Sequence, residues 1–320
     1  MIEVFREEEI RAAVPPAAAV EAVRRAFRAD GEGRTIVPAV INLPIREVDG
    51  EFHIKTAYIE GMSYVAVKIA SGFYRNPARG LPSGTGLMAL FDASTGFPAA
   101  FLLDNGYLTD IRTGAAGAVA AEALARREVD CVGVIGSGTQ ARHQVRCLRQ
   151  VRGFERVRAW SNDPQGLQRY VGELGSELGV EAIAAGGPAE VCAEADILIT
   201  ATPAREAIVR VEYLRPGMHV TALGSDGPGK QELDPRCLCA ADMVVTDRRE
   251  QCARLGELQH AIAAGLMRED DVHANLGEVV AGSKPGRTSD SQITIADLTG
   301  VGFQDTAIAS LAFERLRRTR

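Results

Sequence analysis

The sequence has no long apolar run. No window reaches 18 consecutive apolar residues, which is the length that a membrane-spanning helix needs. The N-terminal stretch carries Glu3, Arg6 and Glu7 where a secretory signal would have an apolar core. These absences predict neither a membrane segment nor a signal peptide, and we expect a cytoplasmic protein.

A basic stripe and metal-type cysteine pairs are also lacking. The formal net charge is −6 at pH 7 and no basic stripe stands out, so nucleic-acid binding is not predicted. The six cysteines form no C-x-x-C pair and match no histidine spacing, so no metal site is predicted. If extended, Cys237 and Cys239 would lie about 6–7 Å apart, near the outer limit for a disulfide. Free thiols are the preferred interpretation.

The chain is long and apolar enough for a large core. Its 320 residues are 46% hydrophobic and 24% charged, which suggests one large or two ordinary domains. A glycine turn lies in mid-chain, after the apolar segment 131–135. Gly136 permits a sharp exit from a strand, Gly138 leaves room for a phosphate near the backbone, and Ala141 lets a helix pack closely on the strand.

A helix predicted from Thr139 to about Val151 would present the N–H groups of residues such as Gln140 to the pyrophosphate of a dinucleotide. The motif alone is weak, because a glycine turn without a ligand has the same sequence. Its context favours the dinucleotide, since short buried strands separated by helices follow. These candidate strands are Arg156–Trp160, Glu181–Ala184, Asp196–Thr200, His219–Leu223, Met243–Thr246 and Ile293–Ala296.

The residues before the turn predict a second, strand-rich structure. Residues 7–30 look helical with a break at Pro15-Pro16, and an Ala-rich helix is predicted over Thr113–Arg127. Between them lie candidate strands at Thr35–Leu43, Glu51–Ala57, Tyr64–Ser71, Gly86–Asp92 and Ala99–Asp104. An amphipathic helix over 303–318 is expected to return to this first part. The sequence thus predicts an α/β fold with a Rossmann domain (116–302) inserted in a split α+β domain (1–115 plus 303–320).

Two lysines interrupt apolar strands of the first part. Lys68 lies inside Val65–Ala70, and Lys55 lies in the neighbouring candidate strand. A buried ammonium needs an anion or a cavity, but alternation could equally place Lys68 on a solvated face. Adjacent strands of a meander could bring both lysines into one pocket.

The segment Thr109–Gly114 is predicted to start the long helix. Thr109 or Asp110 could be the N-cap, which is a purely structural role. Arg112 would lie at the unfavourable end of the helix dipole, so a nearby anion would explain it better, and its fork suits a carboxylate.

Polar residues follow two of the later strands. Asp226 lies in the loop Gly224–Lys230, which is either a simple turn or part of a ligand crevice, since loops after strand carboxyl ends line that crevice. Asp226 is therefore a candidate acid/base group. Thr200 and Thr202 hold the equivalent place after the strand Asp196–Thr200 and are expected to border the nicotinamide ribose.

In this order along the chain, these residues resemble the ornithine cyclodeaminase/μ-crystallin family. The resemblance covers essentially the whole chain and rests on Lys68, Thr109–Gly114, the turn Gly136–Ala141, Gly224–Lys230 and Gln292–Asp297. Asp104–Asp110 and Asp297–Ala307 are most similar to the ectoine-utilisation cyclodeaminase and iminosuccinate reductase branch.

The resemblance implies a homodimer joined through the split domain 1–115 plus 303–320, which would serve substrate binding and dimerisation. It also implies an NAD(P) cofactor and a small α-amino or α-imino acid. Lys68 and Arg112 would hold the α-carboxylate, Asp226 would be the acid/base group, and Lys230 would lie beside the cofactor. The implied cofactor-binding residues are Thr109, Gly136, Gly138, Thr139, Gln140, Ser161, Asn162, Thr200, Thr202, Gly224, Asp226 and Lys230.

One position distinguishes this chain from the ornithine cyclodeaminases of the family. Ornithine cyclodeaminases have a glutamate at the place of Lys55, where it suits a substrate with a distal amine. A lysine there repels an ammonium and attracts a second carboxylate. The family's early arginine is also missing near Pro38–Val40, and Lys55 could compensate for that charge.

We therefore expect an enzyme, either an imino-acid reductase or an amino-acid dehydrogenase, whose best candidate reaction is iminosuccinate to aspartate. Two alternatives stay open: an ammonia lyase that uses NAD without net turnover, and a non-enzymatic ligand-binding protein like μ-crystallin. NAD is preferred over NADP, although the usual acidic residue for the ribose is replaced by Ser161, because Asp163 is near and no arginine follows at once.

Overall fold

The computed structural model describes residues 2–319, so Met1 and Arg320, at the two ends of the predicted first domain, lie outside the described residues. The helices are α1 Glu7–Ala13, α2 Pro16–Gly31, α3 Tyr107–Leu124, α4 Thr139–Leu148, α5 Pro164–Leu178, α6 Pro188–Glu194, α7 Arg236–Ala240, α8 Arg249–Leu255, α9 Leu258–Ala263, α10 Leu276–Ala281 and α11 Gly302–Arg318. The strands are β1 Glu3–Arg6, β2 Thr35–Ile36, β3 Ile41–Ile45, β4 Gly50–Ile59, β5 Tyr64–Phe73, β6 Gly84–Asp92, β7 Pro98–Leu103, β8 Cys131–Ile135, β9 Arg156–Trp160, β10 Glu181–Ala184, β11 Ile197–Thr200, β12 Arg205–Val209, β13 His219–Ala222, β14 Gln231–Leu233, β15 Met243–Thr246, β16 Ala274–Asn275 and β17 Thr294–Asp297.

The chain divides into two compact units. The first unit is Met1–Arg112 with Val301–Arg320, and the second is Thr113–Gly300, so the boundary falls inside α3. The roles given to the two parts of the chain, substrate binding with dimerisation and dinucleotide binding, stay predictions.

The first unit is built on a seven-stranded sheet. Its order is β1-β7-β6-β5-β4-β2, with β3 also paired to β4. The pairs from β4 to β7 are antiparallel, whereas β1 joins β7 in parallel. Helices α2 and α11 each contribute aromatic side chains to its core, where the rings of Phe27 and Phe303 meet edge to face at 5.2 Å.

The second unit is an eight-stranded parallel sheet in the order β10-β9-β8-β11-β13-β17-β15-β16. Its central strands are buried along their whole length, as a parallel sheet covered by helices requires. The order reverses direction between β8 and β11, and such a switch point is where ligands bind in open α/β sheets. The predicted α/β class is confirmed.

Several elements differ from the sequence prediction. Helix α3 begins at Tyr107, not at Thr113, and neither Thr109 nor Asp110 is its N-cap, because both lie in its first turn. The carboxylate of Asp104 does the capping and accepts a hydrogen bond from the Leu108 N–H at 2.7 Å. The predicted strand Thr35–Leu43 is two strands, β2 and β3, and β1, β12, β14 and β16 were not predicted.

The cysteines agree with the preferred interpretation. All six are free thiols. Cys237 and Cys239 lie in the helix α7, so the extended geometry considered for them does not occur. Within residues 2–319, no helix combines the length and apolar character needed to cross a membrane.

Candidate functional site

A cluster of three cations lies in the first unit. Lys55 on β4 and Lys68 on β5 are direct partners in the antiparallel register, so their side chains project from the same face of the sheet. Lys68 is 2% exposed and Lys55 is 7% exposed. The sequence left a solvated face open for Lys68, and the structure instead buries both lysines side by side.

Asp305 on α11 joins this cluster. Its Oδ1 accepts a hydrogen bond from Arg112 Nε at 2.9 Å, and its Oδ2 lies 3.3 Å from Lys68 Nζ. Asp305 and Arg112 are both buried. Arg112 was expected at the start of a helix facing an anion. It lies one turn further along α3 than expected, and the anion it meets is this aspartate of the same chain.

The position of Asp305 is fixed by its neighbour on α11. Thr306 Oγ1 donates a hydrogen bond to the Ala57 carbonyl at 2.7 Å and accepts one from the Ala66 N–H at 3.2 Å. These bonds tie the first turn of α11 to β4 and β5. A Cβ at Gly302 would collide with the Thr56 carbonyl, so this close approach requires a glycine. The sequence therefore places Asp305 against the lysine pair.

The cluster shifts the ionisation of its members. Burial lowers the pKa of Lys68 to about 7; the charge of Asp305 opposes this shift, and those of Arg112 and Lys55 add to it. Burial raises the pKa of Asp305, but Lys68, Arg112 and Lys55 outweigh that effect and hold it below its usual value. A lysine that titrates near neutral pH can both bind an anion and exchange a proton.

Gln304 completes the cluster. Its Oε1 accepts a hydrogen bond from Arg112 Nη1 at 3.1 Å, while its buried Nε2 meets no partner within residues 2–319. Sequence reasoning missed Gln304 and Asp305 as site residues. The available signal was two polar residues on the apolar stripe of the terminal helix, beside Phe303 and Ile308.

The glycine turn forms as predicted in the second unit. Gly136 has φ +115°, and a Cβ there would meet the Ala201 carbonyl oxygen at 2.5 Å. Gly138 precedes α4, no side chain caps that helix, and a Cβ at Gly138 would meet nothing within 4 Å. The start of α4, with Thr139 and Gln140, thus has its positive dipole end beside the open space at Gly138. These residues fit a dinucleotide pyrophosphate.

The segment after β9 is also defined by its hydrogen bonds. Asp163 caps α5 by accepting a hydrogen bond from the Gly166 N–H at 3.0 Å, and the Asp163 N–H donates to Ser161 Oγ at 3.2 Å. The carboxylate of Asp163 is therefore engaged in the cap. Ser161 and Asn162 directly follow the strand, at the place where a cofactor ribose would lie.

Two further loops lie at the carboxyl ends of β11 and β13, which are neighbours in the sheet. Thr202 and Gly224 lie in these loops and Thr200 is the last residue of β11, and all three donate hydrogen bonds to the buried carboxylate of Glu232. Sequence reasoning did not identify Glu232. Its signal was faint, because it is one acidic residue among the polar residues that follow the loop.

Asp226 and Lys230 form an ion pair within one of these loops. The Lys230 Nζ to Asp226 Oδ1 distance is 2.7 Å, and the Asp226 side chain is 46% exposed. The structure therefore brings the predicted acid/base residue and the predicted cofactor-side lysine together. Thr109, the remaining predicted cofactor residue, lies on α3 in the first unit.

A model of the ornithine cyclodeaminase/mu-crystallin family matches residues 3–320 of the chain. Among relatives, the chain is 45% identical to the uncharacterized cyclodeaminase y4tK of Sinorhizobium fredii over 98% of this chain and 96% of that one. It is 36% identical to the iminosuccinate reductase of Paracoccus denitrificans over 97% of this chain and 95% of that one.

Solved structures agree along the whole chain. An archaeal alanine dehydrogenase dimer with bound NAD superposes with a TM-score of 0.94 at 36% identity, over 99% of this chain and 97% of that one. The Δ1-pyrroline-2-carboxylate reductase of Thermococcus litoralis, in complex with NADH and L-proline, superposes with a TM-score of 0.96 at 30% identity, over 99% of this chain and 98% of that one. The iminosuccinate reductase of Paracoccus denitrificans with NAD+ superposes with a TM-score of 0.91 at 34% identity, over 99% of this chain and 97% of that one.

Proposed function

Because the chain belongs to the ornithine cyclodeaminase/mu-crystallin family, we propose that it is an NAD-dependent oxidoreductase that reduces a small imino acid, with iminosuccinate to aspartate as the best candidate reaction. The relatives named above include reductases of two imino acids and a dehydrogenase of an amino acid. They support the reaction class, and the choice of a dicarboxylate is argued from this chain's own residues.

The observation that carries the proposal is the pairing of Lys55 with Lys68 across two strands. Lys68 and Arg112 are assigned to the α-carboxylate of the substrate. A second ammonium beside them suits a second carboxylate, and it disfavours a substrate with a distal amine. With Lys68 protonated, these side chains and Asp305 carry three positive charges and one negative charge, so a dianion would neutralise them.

Each residue then has a distinct role in the reaction. The Arg112 guanidinium, held by Asp305 and Gln304, presents a fixed fork for one carboxylate, and Lys55 holds the distal one. Binding at both ends orients the imine carbon and lowers the entropic cost of reaching the reactive geometry. Lys68 and Asp226 are the two groups proposed to govern the proton that the imine nitrogen receives.

The cofactor, when bound, supplies the hydride that reduces the C=N bond. The chain's part is to hold it: the turn Gly136–Ala141 for the pyrophosphate, and Ser161 and Asn162 for the adenosine ribose. Thr200, Thr202 and Gly224 are assigned to the nicotinamide side. No arginine lies between Ser161 and Gln168 to hold a 2′-phosphate, which favours NAD over NADP.

A homodimer is part of the proposal. One face of the first-unit sheet carries a row of direct cross-strand partners, Ile41, Ile54, Ile69 and Leu87. Ile41 is 60% exposed and Ile69 is 37% exposed. Apolar rows of this kind mark interaction surfaces, and a relative of the same fold is a dimer. We assign this face to a second copy of the chain.

A steady-state assay tests the proposal. The purified protein is given NADH and the imine that forms from oxaloacetate and ammonia, and NADH absorbance is followed. Pyruvate with ammonia and Δ1-pyrroline-2-carboxylate serve as imines with a single carboxylate, and we expect the dicarboxylic imine to be reduced with the highest kcat/KM. Conversion of ornithine to proline without net loss of NADH, and without reduction of any imine, would contradict the proposal.

A further inference from the structure

Glu232 is a fully buried carboxylate on β14 to which the proposed reaction gives no part. It accepts four hydrogen bonds. Its Oε2 accepts from Thr200 Oγ1 at 2.6 Å and from the Gly224 N–H at 2.8 Å. Its Oε1 accepts from the Thr202 N–H at 2.6 Å and from Thr202 Oγ1 at 2.8 Å.

The four donors belong to the ends of two different strands and the loops that follow them. Thr200 ends β11 and Thr202 follows it, Gly224 follows β13, and these strands are adjacent in the sheet. One carboxylate therefore ties both loops together at their exit from the sheet. The contact with Gly224 is close, since a Cβ at Gly224 would meet the Glu232 Oε1 at 2.6 Å.

Two more buried carboxylates hold Glu232 in place. Glu257 accepts hydrogen bonds from the N–H groups of Glu232 and Leu233 at 2.8 and 3.1 Å. Asp297, at the end of β17, accepts from the N–H groups of Glu257 and Leu258, both at 3.0 Å. A chain of carboxylate-to-amide contacts thus runs from the central sheet to the two loops.

This arrangement costs folding free energy, because three carboxylates are buried close together. Burial raises the pKa of Glu232, and the four donors oppose that shift. Burial, together with the charges of Glu232 and Asp297, raises the pKa of Glu257 well above its usual value. Loops can be closed with neutral hydrogen bonds alone. Three buried acids linked in a chain therefore indicate that the position of these loops is strongly fixed.

We propose that Glu232 is a positioning residue that sets the loops after β11 and β13 for the nicotinamide half of the dinucleotide. The inference rests on the proposed function, because it takes Thr200, Thr202 and Gly224 as cofactor-binding residues. Glu232 acts through these residues and need not touch the cofactor itself.

The test is NADH binding by fluorescence titration in Glu232→Gln. A glutamine turns one acceptor into a donor that faces donors, so NADH should bind at least about tenfold more weakly. KM for NADH should rise while KM for the imino acid stays unchanged. The matched control is Asp196→Asn, because Asp196 also holds backbone N–H groups, those of Asp130 and Cys131, but at the opposite ends of the strands. It should leave NADH affinity unchanged.

Glu232→Asp keeps the charge but is one methylene shorter, and it covers the case in which Glu232→Gln fails to fold. It should weaken NADH binding less than Glu232→Gln does. Wild-type affinity for NADH in a folded Glu232 variant would overturn the inference. A wild-type protein that binds no NADH would instead overturn the proposed function, so the two failures are distinguishable.

Discussion

At the scale of single residues, Lys55 is the residue proposed to select the substrate. Lys55→Glu replaces the ammonium opposite Lys68 by a carboxylate. We expect kcat/KM for the dicarboxylic imine to fall at least about a hundredfold, because like charges in a desolvated site repel by several kcal/mol. Imines with one carboxylate should lose less. The measurement is kcat/KM for both substrate classes.

The control for Lys55→Glu is Lys284→Glu, which makes the same change in net charge at an exposed lysine of the second unit. It should leave both kcat/KM values within about twofold. An equal loss for the two substrate classes in Lys55→Glu would remove Lys55 from the recognition of the distal carboxylate.

The contact between Lys68 and Asp305 leads us to expect that substrate binding depends on pH. Burial lowers the pKa of Lys68 to about 7, and Asp305 opposes that shift. Since only the protonated ammonium attracts a carboxylate, affinity for an unreactive dicarboxylate such as succinate should fall as the pH rises through about 7. Asp305→Asn removes the opposing charge, so the pKa of Lys68 should drop further and the loss of affinity should begin at lower pH.

Calorimetric titration with succinate from pH 6 to pH 9 checks this prediction, and two buffers of different ionisation enthalpy report the proton taken up on binding. Asp305→Asn also leaves Arg112 and Lys68 without their shared carboxylate, which costs about 3 kcal/mol of stability, so its fold is verified by circular dichroism. Affinity that does not change over this pH range in the wild type would contradict the assignment.

The same residues mark the limit of sequence reasoning at this scale. The pattern around Lys68 identified a polar residue in an apolar strand, but period-2 alternation does not say which face of the sheet is covered. Its anion, Asp305, lies more than two hundred positions away. Only the packing of α11 against β4 and β5 brings them together.

At the scale of elements, substitutions in the strand–turn–helix around Gly136 should affect stability and NADH binding separately. Gly138→Ala places a methyl group in open space next to the uncapped start of α4. We expect an unchanged melting temperature and NADH binding that is at least about tenfold weaker, because the methyl group occupies the place where the pyrophosphate approaches the backbone. Thermal unfolding and fluorescence titration measure the two effects.

Gly136→Ala and Gly153→Ala are the two comparison variants for that experiment. The first forces a Cβ to within 2.5 Å of the Ala201 carbonyl at φ +115°, so it should lower stability by about 1–3 kcal/mol. The second also meets nothing within 4 Å but lies outside the turn, so it should change neither property. Full NADH affinity in Gly138→Ala would show that no phosphate approaches there.

Elements were predicted best where the pattern was strongest. The bounds of β9, β10 and β15 coincide with the prediction, because these short strands lie between helices and turns that limit their length. Helix α3 starts at Tyr107, about one turn before the start that Thr109 or Asp110 as N-cap would give. Its cap is the carboxylate of Asp104, which precedes Asn105 in a left-handed conformation, and that local turn has no strong sequence signal. Strand β14, which carries Glu232, was too short to detect.

At the scale of the whole molecule, the mid-chain position of the glycine turn and the terminal amphipathic helix together predict an inserted domain. The structure has two compact units, Met1–Arg112 with Val301–Arg320 and Thr113–Gly300, and the roles assigned to the two parts of the chain stay predictions. The parallel join of β1 to β7 was not predictable, because four residues carry little pattern and their partner lies almost a hundred positions away. Assembly was implied only by family resemblance.

The apolar row on the first-unit sheet makes that assembly testable. Ile41→Arg puts a charge on a side chain that is 60% exposed in the single chain, so the fold should tolerate it. If a second copy covers this face, a charge buried there without a partner weakens association, and light scattering after gel filtration should shift from dimer to monomer. Leu266→Arg is the control, since Leu266 is 48% exposed in the second unit and should leave the dimer intact. A dimer that survives Ile41→Arg combined with Ile69→Arg would place the interface elsewhere.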